Sequence, residues 1–189
     1  MKVKICGITT EAEIGVLNEC KPDFVGFVLC QRSKRFVSYE RAKRLMSLLA
    51  PSIRTVGVFL DNPVEEIKEC TAFDVWQLHG YSEREISSLS GKPLIQAFSV
   101  QGEEDIRRAN ASQANYILLD HGKGGTGQAF DWSLPFPKRP YFLAGGLDEE
   151  NVNKAKRLCP YAVDVSSGVE TDGKKDPEKI RRFIENARR

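Results

Sequence analysis

The residue of this chain that is best placed to do chemistry is a cysteine near the amino terminus. Cys6 ends the strand-like segment 2–5 and precedes Gly7 and a helix-start signal at Thr10. A thiol accepts protons as its thiolate, and an ordinary thiol has a pKa of about 8.5. Cys6 could therefore act as a base only beside a positive group or a helix amino terminus. The alternative is a small buried apolar residue, which is what a cysteine in a strand more often is.

A carboxylate ends a later strand-like run. Asp120 follows Leu118 and Leu119, and an aspartate donates a proton near neutral pH only when burial raises its pKa. The alternative is a carboxylate that caps Gly122 or pairs with a neighbouring cation. If Asp120 and Cys6 share one cavity, they predict an acid and a base that act on the same substrate.

A cation and an imidazole follow two further strand-like runs. Arg35 carries a planar fork of N–H donors that suits a carboxylate, although three basic residues within 32–35 also fit a solvated loop. His79 ends the run 75–78 and could either hydrogen-bond a substrate or cap the chain.

Glycine-rich segments follow three later runs, at 122–127, 145–146 and 166–168. Backbone N–H groups in such loops approach anions closely, and the last two loops of a parallel barrel often bind phosphate. Each segment alone is typical of a tight turn, but together they predict a substrate that carries a phosphate. The candidate residues in these loops are Gly125, Gly127, Gly145, Gly146, Ser166, Ser167 and Gly168.

The composition is that of an ordinary globular protein that binds a small molecule. The chain has 189 residues, 41% of them hydrophobic, and is predicted to form one domain over 1–189. Its 28 basic and 26 acidic residues are interspersed and leave a net charge of +2. No surface for nucleic acid or for a membrane is therefore expected, and the expected partner is a small molecule.

The cysteines and histidines argue against a metal site and against export. Five scattered cysteines form no Cys-x-x-Cys pair, and there are only two histidines. We expect no metal, and we expect a reducing cytoplasm. No signal peptide or transmembrane segment is predicted, because the sequence has no long apolar stretch.

Apolar runs of strand length recur along the chain, and each is followed by turn residues and a helical pattern, as in repeated βα units. The candidate strands begin near Val3, Phe24, Thr55, Val75, Leu94, Tyr116, Tyr141 and Ala162. Many of these runs are apolar throughout, which is typical of parallel strands covered on both faces.

Capping residues and apolar stripes mark the helices between the strands. Thr10 with Glu13 and Ser82 with Glu85 form capping boxes, and Asn62 and Asp176 each precede a proline that can begin a helix. Residues at helical spacing predict two apolar faces that pack on the sheet. They are Ala42, Leu45, Met46 and Leu49 in one helix, and Ile180, Phe183, Ile184 and Ala187 in the other.

Periodicity alone does not distinguish a closed barrel from an open doubly wound sheet. No Gly-x-Gly-x-x-Gly follows the first strand, and polar and glycine residues follow many strand ends, as they do at the mouth of a barrel. We therefore predict an α/β fold, a single-domain (β/α)8 TIM barrel. Because the chain is short for that fold, the helix between strands six and seven, around 132–134, should be short or irregular.

Seven ordered motifs together resemble one known family. They are KICGIT at 4–9, SKR at 33–35, VWQLHG at 75–80, LLD at 118–120, GGTG at 124–127 with FDW at 130–132, LAGGL at 143–147, and VDVSSGVE at 163–170 with GKKD at 173–176. In these motifs, which span the chain, the sequence resembles the phosphoribosylanthranilate isomerases of tryptophan biosynthesis.

The resemblance implies a (β/α)8 barrel that works without a cofactor. Such an enzyme performs the Amadori rearrangement of N-(5-phosphoribosyl)anthranilate to 1-(o-carboxyphenylamino)-1-deoxyribulose 5-phosphate. The resemblance also implies that Asp120 is the general acid, that Cys6 is the general base and that Arg35 holds the anthranilate carboxylate. His79 and Asp164 join the glycine-loop residues as expected substrate contacts.

Two rival interpretations stay open at this point. A related dual-substrate isomerase also serves histidine biosynthesis but relies on two aspartates, so Cys6 argues against it. A non-catalytic barrel that binds a phosphosugar would keep the glycine loops but has no need of Cys6 or Asp120. The oligomeric state, monomer or homodimer, is not determined by the sequence.

Overall fold

The chain folds into a closed barrel of eight parallel strands, each hydrogen-bonded to the next along the sequence, with the last strand beside the first. The computed structural model describes residues 1–121 and 137–189. This topology confirms the predicted barrel rather than the open sheet.

Each strand begins at the predicted residue or one residue before it, because continuous apolar runs between turn signals identify buried parallel strands. The strands are β1 (Lys2–Cys6), β2 (Phe24–Val28), β3 (Arg54–Leu60), β4 (Val75–His79), β5 (Leu94–Val100), β6 (Tyr116–His121), β7 (Tyr141–Leu143) and β8 (Ala162–Val165).

Helices follow most of these strands and cover the outside of the barrel. They are α1 (Glu11–Cys20), α2 (Tyr39–Met46), α3 (Val64–Glu69), α4 (Glu83–Ser88), α5 (Glu103–Ala111), α6 (Val152–Ala155) and α7 (Pro177–Arg188). A short hairpin of β9 (Glu170–Thr171) and β10 (Lys174–Lys175) stands between β8 and α7. The predicted short helix between strands six and seven lies outside the described residues.

Three of the predicted helix starts have the expected caps. The N–H of Thr10 donates to the Glu13 carboxylate at 2.9 Å, and the N–H of Ser82 donates to Glu85 at 2.8 Å. The Asp176 carboxylate accepts from two N–H groups in the first turn of α7. These bonds satisfy donors that a helix amino terminus would otherwise leave unpaired.

The prediction for Asn62 was wrong by one residue. Pro63, not Asn62, occupies the capping position, and α3 begins at Val64. The Asn62 side chain instead accepts from the N–H of Leu60 and donates to the carbonyl of Leu29, both at 3.3 Å. Local side-chain bonds to the backbone compete with helix capping, and here they tie two strand ends together.

The two predicted apolar faces pack as expected, with one difference in length. Ile180, Phe183, Ile184 and Ala187 of α7 are all buried. In α2, Ala42 and Leu45 are buried, but the helix ends at Met46 and Leu49 packs on the core from the following turn. Pro51 follows closely and restricts the residue before it, which favours an early end.

The hydrophobic core has two parts, one between the helices and the barrel wall and one inside the barrel. The inner part includes Phe24 and Phe142, whose rings meet edge to face with centroids 5.3 Å apart. Tyr116 and Tyr161 stack at 4.9 Å beside them. This aromatic layer fills the amino-terminal end of the barrel and leaves the opposite end for polar side chains. Within the described ranges, no helix combines the length and the apolarity needed to span a membrane.

Candidate active site

Side chains from four different strand ends meet at the carboxyl-terminal mouth of the barrel. Cys6 ends β1, His79 ends β4, Asp120 lies near the end of β6, and Ser166 follows β8. All four line one cavity of about 190 Å³. The cavity thus brings Cys6, His79, Asp120 and the loop after β8 together, because parallel strands bring their carboxyl ends to one face.

Cys6 sits deep in this cavity, and only 8% of its surface is exposed. It pairs in register with Gly26 of β2. A Cβ built on Gly26 would lie 2.8 Å from the Cys6 sulfur and 3.2 Å from the Lys4 ammonium nitrogen. The missing side chain of Gly26 is therefore the space that the thiol and the ammonium share.

A positive group lies beside Cys6, the ammonium of Lys4, which the sequence analysis missed. Lys4 lies two residues before Cys6 on β1, and alternate residues of a strand point to the same face. Its side chain is fully buried inside the barrel and its Nζ donates to Asp164 Oδ2 at 2.8 Å. The signal was present as a lysine, two positions before the cysteine, in a strand of buried residues.

The pKa values of Cys6, Lys4 and Asp164 are set by two opposing influences. Burial favours the neutral form of each group, and the charges of its neighbours change that preference. Burial raises the pKa of the Cys6 thiol above its ordinary value, while the charge of Lys4 opposes that shift. Burial favours the neutral amine of Lys4, but Asp164 and Cys6 outweigh it and the pKa of Lys4 is raised. Burial likewise raises the pKa of Asp164, and Lys4 counters it.

Asp120 is half-buried near the end of β6, opposite Ser99 of β5 in register. It lines the cavity that holds Cys6 and also a neighbouring cavity of about 770 Å³ over the ends of β2 to β6. An acid at this boundary can reach a ligand that occupies both spaces.

Arg35 faces a carboxylate of the protein itself. Its Nε and Nη2 donate to the two oxygens of Glu170 at 2.6 and 2.8 Å, and Lys175 Nζ donates to Glu170 Oε1 at 2.7 Å. Burial raises the pKa of Glu170, but the bonds from Arg35 and Lys175 dominate and lower it to about 2. The sequence reasoning assigned no role to Glu170 or Lys175, which lie 135 residues or more beyond Arg35.

This pairing fixes the plane of the guanidinium at the edge of the cavity, which Arg35 also lines. The bonds to Glu170 use Nε and Nη2, and among the described residues no acceptor contacts Nη1. Arg35 therefore keeps a donor nitrogen for a ligand while its orientation is held from behind.

His79 is a neutral imidazole. Burial, with the charge of Lys4 as a second cause, lowers the pKa of His79 to about 4. Gln77 Nε2 lies 2.7 Å from His79 Nε2. With the amide assigned as the donor in this contact, the imidazole proton is on Nδ1. His79 can thus offer one N–H to a ligand at neutral pH.

The described glycine loops line the same cavity. Gly145 and Gly146 have positive φ of 90° and 63°, which glycine adopts without strain. A Cβ on Gly168 would collide with the carbonyl oxygen of Leu147, so the loops after β7 and β8 touch. These glycines and Ser167 line the cavity with Cys6. Gly125 and Gly127 lie outside the described residues.

The loop after β8 is tied to β1 and to the hairpin. Ser166 Oγ donates to the carbonyl of Cys6 at 3.0 Å, and Lys175 Nζ donates to the Ser166 carbonyl at 2.9 Å. The ammonium of Lys175 is thereby held beside the loop after β8, which is predicted to bind phosphate. In the described part of the chain, no cluster of three or more His, Cys, Asp or Glu side chains could hold a metal ion.

Comparison with known proteins gives one consistent result. The sequence profile of N-(5'-phosphoribosyl)anthranilate (PRA) isomerase matches residues 3–186. The N-(5'-phosphoribosyl)anthranilate isomerase of Streptococcus gordonii is 41% identical over 196 residues, which cover 99% of this chain and 97% of that protein.

Solved structures agree with the sequence match. The crystal structure of phosphoribosyl anthranilate isomerase from Thermotoga maritima superimposes with a TM-score of 0.92 at 39% identity, covering 100% of this chain and 98% of that one. A crystal structure of the isomerase in complex with reduced 1-(o-carboxyphenylamino)-1-deoxyribulose 5-phosphate gives a TM-score of 0.89 at 38% identity, with the same coverage.

Proposed function

The chain belongs to the N-(5'-phosphoribosyl)anthranilate isomerase family and is an isomerase of tryptophan biosynthesis, and from this premise we propose that Asp120 is its general acid and Cys6 its general base. The reaction is the Amadori rearrangement of N-(5-phosphoribosyl)anthranilate to 1-(o-carboxyphenylamino)-1-deoxyribulose 5-phosphate. The observation that carries the assignment is the single cavity lined by both side chains and by the glycine loops.

The two residues act in sequence. Asp120 gives its proton to the ring oxygen of the ribose, the bond from C1 to that oxygen breaks, and the nitrogen lone pair forms an iminium at C1. The iminium acidifies the neighbouring C–H bond, so the Cys6 thiolate takes the C2 proton. The electron pair of that bond forms C1=C2, and the π pair of the C1=N bond returns to nitrogen. The resulting enolamine tautomerises to the ketone.

The remaining site residues hold the two ends of the substrate. Arg35, oriented by Glu170, binds the anthranilate carboxylate through its remaining N–H donors. Backbone N–H groups near Gly145, Gly146 and Gly168, with Ser166 and Ser167, bind the phosphate. Gly125 and Gly127 are proposed to take part on sequence grounds alone. Holding both ends places the reacting carbons between acid and base.

His79 and Asp164 are the proposed contacts to the sugar. His79 offers its Nδ1 proton to a hydroxyl, while Asp164 Oδ1 is a buried acceptor with no hydrogen-bond partner in the described part of the chain. A pentose hydroxyl is a donor that could pair with this oxygen.

The assignment is tested by removing the acid and the base separately. We expect Cys6→Ala and Asp120→Ala each to abolish turnover while the affinity for a phosphate-bearing product analogue stays within about tenfold. Turnover is followed by the loss of substrate fluorescence, and affinity by titration calorimetry. The matched control is Cys159→Ala, because Cys159 is exposed and far from the mouth.

Near-normal rates in both variants would favour the non-catalytic phosphosugar-binding barrel. The dual-substrate interpretation is tested by assaying the aminoaldose of the histidine pathway. Turnover of that compound at a rate comparable with the anthranilate substrate would overturn a single-substrate assignment.

We also propose that the protein works in the cytoplasm, without a cofactor, and as a monomer or a homodimer. The cysteines of the described residues are free thiols, which fits a reducing compartment. Analytical ultracentrifugation distinguishes the two oligomeric states. A high-affinity complex with nucleic acid or with lipid vesicles would contradict the expectation of a small-molecule partner only.

A further inference from the structure

Lys4 is a charged side chain in a place where an apolar residue would be easier to accommodate. None of its side-chain surface is exposed, and it stands inside the barrel beside the inner apolar cluster. Burial of an ammonium is costly, and a buried ion pair is often no more stable than apolar residues of the same volume. Stability alone therefore does not account for Lys4.

The geometry directs Lys4 toward the base. Lys4 and Cys6 point to the same face of β1, and the missing side chain of Gly26 leaves them a shared space. Asp164 holds the ammonium from β8 at 2.8 Å. Lys4 is thus anchored on one side and faces the thiol on the other.

Other charges also surround the thiol. The titratable and charged groups that face Cys6, from β1, β4, β6, β8, the loop after β2 and the hairpin, are Lys4, His79, Asp120, Asp164, Arg35 and Lys175. Burial raises the pKa of Cys6 most strongly, and the charge of Lys4 is the largest opposing influence. The neutral His79 contributes no charge near neutral pH.

We propose that Lys4 is a positioning residue that stabilises the Cys6 thiolate for removal of the C2 proton, and that Asp164 holds it there. The inference rests on the proposed role of Cys6 as the base. When the Cys6 thiolate takes the proton it becomes neutral. The ammonium of Lys4 then pairs with the Asp164 carboxylate alone. The same arrangement accounts for a lysine in the barrel interior.

The test measures the thiolate directly, by site-resolved alkylation of the folded full-length protein with iodoacetamide between about pH 6 and about pH 10. The reagent is neutral, so removing a charge from the protein does not change its local concentration. Peptide mass spectrometry follows Cys6, and the exposed Cys159 is the internal reference.

We expect Lys4→Met to slow the alkylation of Cys6 about tenfold or more near neutral pH and to shift the rise of its rate to higher pH. Asp164→Asn, which removes the opposing carboxylate, should shift that rise to lower pH. In turnover assays Lys4→Met should lower kcat and leave KM within about threefold, because the missing charge acts in the chemical step.

The proposal would be overturned if Cys6 in Lys4→Met were alkylated at the wild-type rate at every pH. It would also be overturned if the pH dependence of alkylation shifted in the same direction in both variants, because that result would indicate a loosened barrel. If Lys4→Met does not fold, Asp164→Asn decides alone: a downward shift supports the proposal and any other result contradicts it. Failure of the proposed function is separate, since it would appear as turnover retained by Cys6→Ser whatever the alkylation rates.

Discussion

At the scale of single residues, the proposed chemistry depends on the Cys6 thiol, whose pKa is set by burial and by a nearby charge. Burial raises the pKa of Cys6, and the nearby ammonium of Lys4 limits that rise. The enzyme therefore contains little Cys6 thiolate at neutral pH.

The pH dependence of Cys6 alkylation tests this directly, whereas the turnover rate depends in addition on the proton of Asp120. Because the folded pKa of Cys6 lies above the ordinary thiol value of about 8.5, the alkylation rate of Cys6 in the wild-type enzyme should rise with pH through neutrality with a slope near one on logarithmic axes. His79, with a pKa of about 4, cannot produce this limb. Peptide mass spectrometry measures it, and a plateau beginning near pH 6 would contradict a raised pKa of Cys6.

Two glycines provide a matched pair of substitutions. In Gly26→Ala the new Cβ would lie 2.8 Å from the Cys6 sulfur and 3.2 Å from the Lys4 nitrogen, so we expect at least about a tenfold loss of kcat. In Gly15→Ala, within α1, the Cβ meets nothing within 4 Å. That variant should keep its kcat and gain about 0.5–1 kcal/mol in the free energy of unfolding. Equal kinetics for the two variants would show that the space at Gly26 is not needed.

At the scale of secondary structure, the hairpin after β8 is what connects the last strand to the loop after β2. Glu170, the first residue of the hairpin, forms ion pairs with Arg35 and Lys175. Both partners are largely buried, so loss of this carboxylate would leave two cations without their shared acceptor. The hairpin is short, and the ion pair of Glu170 with Arg35 ties it to the loop after β2.

Acid unfolding should report the hairpin ion pairs. The folded pKa of Glu170 is about 2 against an ordinary 4.5, so its contribution to stability is present above pH 4.5 and disappears as the pH falls toward 2. Glu170→Gln should lower the free energy of unfolding by about 3 kcal/mol at pH 7 and flatten its decline in that interval. Urea unfolding at several pH values measures both effects.

The control for this experiment is Glu40→Gln. Its carboxylate pairs with Lys43 on the surface, with 80% of its side chain exposed, so its removal should change stability by less than about 1 kcal/mol. A loss of similar size in both variants would show that the network around Glu170 has no special weight.

At the scale of the whole molecule, the barrel separates stability from chemistry along its axis. The amino-terminal end is filled by aromatic rings, and the carboxyl-terminal end carries the cavity. Substitutions at the two ends should therefore affect different measurements.

Phe142→Ala tests this separation. Its ring is fully buried and packs against Phe24 and Tyr116, so its removal should lower the free energy of unfolding by about 3–5 kcal/mol. Where the protein stays folded, kcat should remain within about threefold. Leu48→Ala is the control, because Leu48 is 46% exposed and should change stability by less than about 1 kcal/mol. Chemical denaturation measures both variants.

The strands, their order and the meeting of Cys6 with Asp120 were predictable, because apolar runs identify parallel strands and parallel strands share one mouth. Lys4 was not, because a lysine in a strand is ordinarily solvated and its partner Asp164 lies 160 residues away. Likewise, the bonds from Arg35 to Glu170 depend on tertiary structure that no local pattern encodes. Asn62 was misassigned because its side chain bonds to the strand ends instead of the helix.

The pairing of β1 with β8 has a consequence for how the enzyme folds during its synthesis on the ribosome. The thiol is translated well before the carboxylate that anchors its neighbouring ammonium, because Asp164 lies 160 residues after Lys4. A nascent chain arrested before its final strand would lack the seam that closes the cylinder. Catalytic competence must therefore arrive in a single late event, so no amino-terminal fragment of the barrel should be partially active.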